Sequence, residues 1–335
     1  MIRALAAAAL ALLAFAAPAA AQPAGYFDNS GRSDVLTGGV RMIPITTSKG
    51  TFRVWTKRVG NNPRLKVLLL HGGPAVPHDY LEAFDSFLPR EGVEYYYYDQ
   101  LGAGNSDRPE DMSLWNLPRF VEEVEQVRVA LGLTRDNFCL YGQSWGGLLA
   151  IEYALKYQAN LKCMIVSNMM ASVPAYNDYA QKVLMPAMDP KQLAEVKALE
   201  AAGKTEDPRY MALLVPMHYE QHILRMPFDQ WPEPAVRAFT KVNQPVYAYM
   251  QGPSELGAGG ILKDWDRFED LAKIQTPTLV MAARYDTMDP AYMEKMARKL
   301  PHGSYAFMPN GSHLALYDDQ ANYFAALTGF LKKFD

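Results

Sequence analysis

The chain is poor in several things, and each shortage removes a class of function. Cysteine occurs only twice in 335 residues, at Cys139 and Cys163. Neither has a second Cys or a His at metal-ligand spacing, so the sequence predicts no metal site. Both lie inside apolar runs and are read as plain small hydrophobes of buried strands, although export would permit a disulfide. An excess of one charge is missing too. The chain holds 33 Lys and Arg against 36 Asp and Glu, a net −3, which gives no basic field for nucleic acid. No internal repeat is present, and after residue 21 there is neither a low-complexity segment nor a run that reads as a membrane span, which takes ~20 strongly apolar residues.

What is there begins with a distinct leader. Met1-Ile2-Arg3 is positive, Ala4 to Ala17 is apolar, and Ala19-Ala20-Ala21 forms an A-x-A pattern before Gln22. Residues 1–21 are therefore expected to be a secretory signal peptide. The mature protein is expected outside the cytoplasm, periplasmic or secreted, with no stable membrane association once the leader is removed.

The remainder alternates strands and helices. Arg41 to Thr46 and Thr51 to Lys57 flank Ser48-Lys49-Gly50 like an antiparallel hairpin. Leu65 to Leu70, Glu94 to Tyr98, Asn137 to Tyr141, Met164 to Ser167, Thr278 to Ala282 and Tyr305 to Met308 are short apolar or aromatic runs that suit buried strands. Residues 117 to 132 have helical spacing, and 320 to 333 make a closing helix. This order predicts an α/β fold with a mostly parallel sheet. From about 170 to 263 prolines recur and helical segments such as Lys191 to Ala201 replace strands. The expected division is a core of 22–169 and 264–335 with an inserted helical segment, 170–263.

Chemistry concentrates at Gly142-Gln143-Ser144-Trp145-Gly146, a G-x-S-x-G pattern between a strand and a helix. A serine on such a turn is crowded by backbone, and small residues two before and two after relieve the clashes. A serine nucleophile needs a base, and the base needs an orienting acid. In strand-end order, the late-loop histidine is His313 and the acid is Asp286, preferred over Asp289, which lies further into its loop before Pro290. The oxyanion hole is expected from the N–H of Gly73, in the glycine turn after Leu70, and the N–H of Trp145. His71 is read as structural, and Asp99 as a buttress of the turn that follows it. No cofactor is needed for this chemistry.

Taken together, HGGP (71–74), YYDQLGAGNS (97–106), GQSWGG (142–147), ARYDTMDP (283–290) and SHLALYDD (312–319) resemble the proline iminopeptidase family of α/β hydrolases, within it the archaeal tricorn-interacting type. The similarity runs from about residue 40 to 333 and includes Tyr219-Glu220-Gln221-His222, Gly252-Pro253-Ser254-Glu255 and Lys263-Asp264-Trp265-Asp266 of the insertion. It implies an α/β-hydrolase fold with a helical cap. It also implies cleavage of an N-terminal residue, proline or another small or apolar one, from short peptides or amino-acid amides. Glu255 matches a family glutamate that holds the substrate's free amine. Three positions depart from the family pattern: Ala75 ends the HGGP loop, Asn105 replaces an arginine, and Thr287 replaces a second amine-binding glutamate. The alternative is an esterase or lactonase on the same triad, with no demand for a free amine.

Overall fold

The computed structural model describes residues 25–335, so the expected signal peptide, residues 1–21, lies outside the described residues. One eight-stranded sheet runs in the order β1-β2-β4-β3-β5-β6-β7-β8. The hairpin of β1 (Val40–Thr47) and β2 (Gly50–Val59) forms one antiparallel flank. Then come β3 (Lys66–Leu70), β4 (Glu94–Asp99), β5 (Phe138–Gln143), β6 (Cys163–Ser167), β7 (Thr278–Ala283) and β8 (Gly303–Met308). From β4 to β8 all pairings are parallel. A parallel sheet needs both faces covered, and the five strands β3 to β7 are buried along their whole length. The tyrosine run shows the alternation directly. Tyr96 and Tyr98 pack into the cluster on one face, Tyr95 and Tyr97 into that on the other.

Helices α1 (Leu117–Ala130) and α2 (Trp145–Tyr157) pack into the Tyr98 face. Between β6 and β7 the chain inserts α3 (Val173–Tyr179), α4 (Pro190–Ala201), α5 (Pro208–Leu214), α6 (Glu233–Thr240) and α7 (Gln244–Met250), with a π-helical stretch at Val215–Ile223. Three of the five carry an Asp or Ser cap that accepts backbone N–H bonds, and all five have proline in the first turn. The recurrent prolines of this stretch therefore start helices rather than break them. Then α8 (Pro290–Lys299), α9 (Ala315–Asp318) and α10 (Gln320–Leu331) close the core.

One expectation is corrected. Cys139 and Cys163 are not separate buried thiols; they form a disulfide. The register of β5 and β6 sets them directly opposite each other with Cα atoms 4.6 Å apart, within the range a disulfide spans. Their sequence separation carries no sign of this, because only strand pairing aligns them.

Candidate active site

Strand β5 runs into Ser144, and α2 starts at the next residue, so the serine is the hinge of the turn. Its backbone sits at φ 55°, a left-handed conformation that non-glycine residues rarely adopt. The flanking glycines are a steric requirement. A Cβ at Gly142 would lie 2.0 Å from the Gly146 carbonyl oxygen, and one at Gly146 would lie 2.2 Å from the Leu70 carbonyl oxygen. The Ser144 N–H donates to the Ser167 carbonyl at 3.0 Å, tying the turn to β6.

Asp286 lies in the loop after β7, with none of its surface exposed. Its carboxylate accepts the His313 Nδ1–H at 2.7 Å, the Asn168 amide at 2.7 Å and the Met288 N–H at 3.1 Å. Because a carboxylate only accepts, His313 carries its proton on Nδ1 and presents Nε2 as a base. Burial alone would lower the His313 pKa. The Asp286 charge and hydrogen bond outweigh burial and hold it above the ordinary value. Asp289, the competing acid, caps α8 through the Ala291 N–H at 2.9 Å. The His313 loop is held on two sides. Gln143, beside Ser144, donates its amide to the His313 carbonyl at 3.0 Å, and the His313 N–H donates to the His222 carbonyl of the insertion at 2.9 Å. No hydrogen bond joins Ser144 to His313, and Ser144 keeps 7% of its surface exposed. Such contacts are often long in unliganded enzymes.

The glycine turn after β3 passes close to the serine. A Cβ at Gly72 would lie 3.1 Å from the Ser144 Cβ. The Gly72 N–H is already taken by the Tyr80 hydroxyl at 2.7 Å, which donates onward to Gln143 Oε1 at 2.7 Å. The Gly73 N–H has no acceptor among the described residues. Trp145 is the first residue of α2, so its N–H has no partner within the helix. Both N–H groups are thus available to an oxyanion.

His71 donates Nδ1–H to Gly72 and accepts the Gln100 N–H at 3.0 Å, and burial pushes its pKa down to about 4, so it stays neutral and structural. Asp99 is fully buried, yet its bond to His78 and nearby N–H donors hold it at about 2. It braces His78 and Asn105 around the turn.

Glu255 follows α7 in the insertion and is only 8% exposed. Its carboxylate accepts the Tyr247 hydroxyl, and its carbonyl accepts the Tyr176 hydroxyl at 2.6 Å and His218 Nε2–H at 2.9 Å. Burial raises its pKa, opposed chiefly by the nearby His313. No Lys or Arg pairs with it among the described residues. An apolar cavity of about 550 Å³ is lined by Val76, Tyr219, Phe228, Trp231, Phe239 and by Tyr247, the tyrosine that donates to the Glu255 carboxylate.

Sequence reasoning missed Tyr80, Asn168, His218 and the tyrosines around Glu255. Only Asn168 had a legible signal, since it directly follows β6 just before the insertion, and Asn tolerates the φ of 52° found there. Among the described residues no group of three or more His, Cys, Asp or Glu side chains is arranged to hold a metal.

A family model described as the alpha/beta hydrolase fold matches residues 66–320. A proline iminopeptidase of Elizabethkingia meningoseptica is 54% identical over 296 residues, covering 88% of this chain and 98% of that protein. Among solved structures, VinJ aligns with a TM-score of 0.81 at 29% identity, over 88% of this chain and 99% of that one. A Mycobacterium smegmatis proline iminopeptidase aligns with a TM-score of 0.77 at 27% identity, over 88% of this chain and 98% of that one.

Proposed function

Because the chain belongs to the proline iminopeptidase family of α/β hydrolases, we infer that it is a serine aminopeptidase that removes an N-terminal residue from short peptides or amino-acid amides. Ser144 Oγ attacks the carbonyl carbon of the first residue while His313 Nε2 takes its proton. Asp286 holds the imidazole in the tautomer this requires and stabilises the imidazolium. The N–H groups of Gly73 and Trp145 receive the oxyanion, each worth roughly 10²–10³ in rate. Collapse of the tetrahedral intermediate breaks the C–N bond, and His313 returns the proton to the leaving amine. Water then releases the acyl group by the same steps.

One observation carries the exopeptidase reading. Glu255 is a buried carboxylate without a protein counter-ion, close enough to His313 to feel its charge. A substrate ammonium supplies the missing cation, which makes Glu255 both anchor and filter. The apolar cavity lined by Tyr247 suits proline or another apolar residue. The inserted helices form the cap over the site. Export is supported by the leader and by the Cys139–Cys163 disulfide, since such bonds persist in oxidising compartments.

The test compares prolyl and alanyl coumarin amides with their N-acetylated forms. Cleavage of the free-amine substrates alone is expected. Equal turnover of the blocked ones would overturn the exopeptidase reading. A fluorophosphonate probe should label the wild type and not Ser144→Ala.

A further inference from the structure

A second cluster of charge lies where β3 and β4 begin, at the opposite end of the sheet from the strand ends that carry Ser144 and Asp286. Arg32, Asp34, Arg41, Arg58, Lys66 and Tyr96 line a polar pocket there of about 210 Å³. Two of its four cations are already matched. Arg58 is held on Asp34 through Nε at 2.9 Å and Nη2 at 2.7 Å. Arg32 pairs with the buried Glu94 at 2.6 Å, and Glu94 also accepts the Tyr96 hydroxyl and the Asn62 N–H at 2.8 Å. The other two cations are not matched. Arg41 donates to the Ala130 carbonyl at 2.9 Å and pairs with no carboxylate among the described residues. Lys66 is only 9% exposed, yet its ammonium makes no hydrogen bond among the described residues. Its one ion-pair contact there, Glu94 Oε1, lies at 3.7 Å, beyond hydrogen-bond length. Four cations thus face two carboxylates. A buried ammonium with unmet donors is unfavourable unless something in the pocket accepts them.

We propose that this pocket binds a dianionic phosphate group, held by the Lys66 ammonium and the Arg41 guanidinium. The charge balances, since two unmatched cations meet one dianion. The donors suit it as well. The ammonium is a compact point charge, and the guanidinium presents a fork of N–H groups to a pair of oxygens. At about 210 Å³, against roughly 30 Å³ for each water of the liquid, the pocket has room for a phosphate group and a few waters. The group is either inorganic phosphate or the end of a phosphate monoester. Strand β3 separates Lys66 from the glycine turn beside Ser144 by ~16 Å, so the bound anion acts on stability and leaves the reaction alone. It ties the segment before β1, through Arg32, to the hairpin, through Arg41, and to the start of β3, through Lys66.

The test is isothermal titration calorimetry of the full chain with sodium phosphate, at constant ionic strength and at a pH where phosphate is doubly charged. One site per chain is expected, with a Kd below about 1 mM. Saturating phosphate should raise Tm by about 2 °C or more over chloride. Lys66→Met keeps the apolar stem, removes the charge and should weaken binding at least about tenfold. Arg41→Gln, on a half-buried side chain, serves if Lys66→Met does not fold and should show the same loss. Lys66→Arg restores the charge and should bind within about threefold of wild type. Methyl phosphate, titrated alongside, separates the two sources. Tighter binding than inorganic phosphate assigns the site to a monoester, and equal or weaker binding assigns it to the free ion. Hydrolysis of prolyl coumarin amide should be the same within about twofold with and without saturating phosphate. Three results overturn the proposal: no saturable binding, equal affinity in wild type and Lys66→Met, as for an adventitious ion only, or competition between phosphate and the amide.

Discussion

The turn at Ser144 and the pocket around Glu255 are built on opposite terms. At the turn the backbone decides. Two glycines are forced by carbonyl oxygens 2.0 and 2.2 Å from where a Cβ would stand, and the serine itself is held at φ 55°. Around Glu255 side chains decide. Tyr176 and His218 hold its carbonyl, Tyr247 its carboxylate and Tyr219 its N–H. The first arrangement aims one hydroxyl and is indifferent to the substrate. The second holds a buried carboxylate with no Lys or Arg paired to it among the described residues. On the proposed function, reaction and selection fall on different parts of the chain, so each should be breakable without the other.

The largest break falls on the reaction side. Ser144→Ala should lower kcat by roughly 10⁶ on any substrate, amide or ester, in steady-state assays. Asp286→Asn should lower kcat by about 10⁴ by favouring the wrong imidazole tautomer. It should also move the acid limb of the pH profile. His313 must be neutral to act as a base, and its pKa is held above 6.5, so wild-type kcat/KM should fall as pH drops through a point above 6.5. Removing the Asp286 anion takes away what raises that pKa, so the limb should shift to lower pH. On the selection side, Glu255→Gln should raise KM about ten- to a hundredfold for free-amine substrates and leave amine-free esters nearly untouched. Equal losses on both would erase the division between the two regions. The smallest effect on rate is expected for Tyr80→Phe, which leaves the buried Gly72 N–H without its acceptor. Urea denaturation should show a loss of about 1–3 kcal/mol, with kcat falling less than tenfold.

Much of the sheet was legible because buried parallel strands are short apolar runs, and the observed bounds differ from the expected ones by at most two residues. The helix-opening prolines correctly marked where strands stop. Ser144, Asp286 and His313 stood out because each follows a strand in a required order, and strand ends are visible in sequence. The disulfide was not legible. Cys139 and Cys163 are brought together by the register of β5 on β6, a relation between strands rather than a property of either. Asp289, ranked below Asp286 because it lies further into its loop, is committed by the fold to capping α8.

The sequence by itself determined the turn, its nucleophile and the order of the proposed catalytic groups, because those depend on steric rules that act over a few residues. Tertiary structure alone decided the surroundings of Glu255. Tyr176, the neighbouring pair His218 and Tyr219, and Tyr247 come from three separate elements, and none is marked by spacing. Their convergence, and the unpaired His218 nitrogen left within it, exists only once the insertion has folded against the core and excluded the water that would otherwise satisfy every one of those groups.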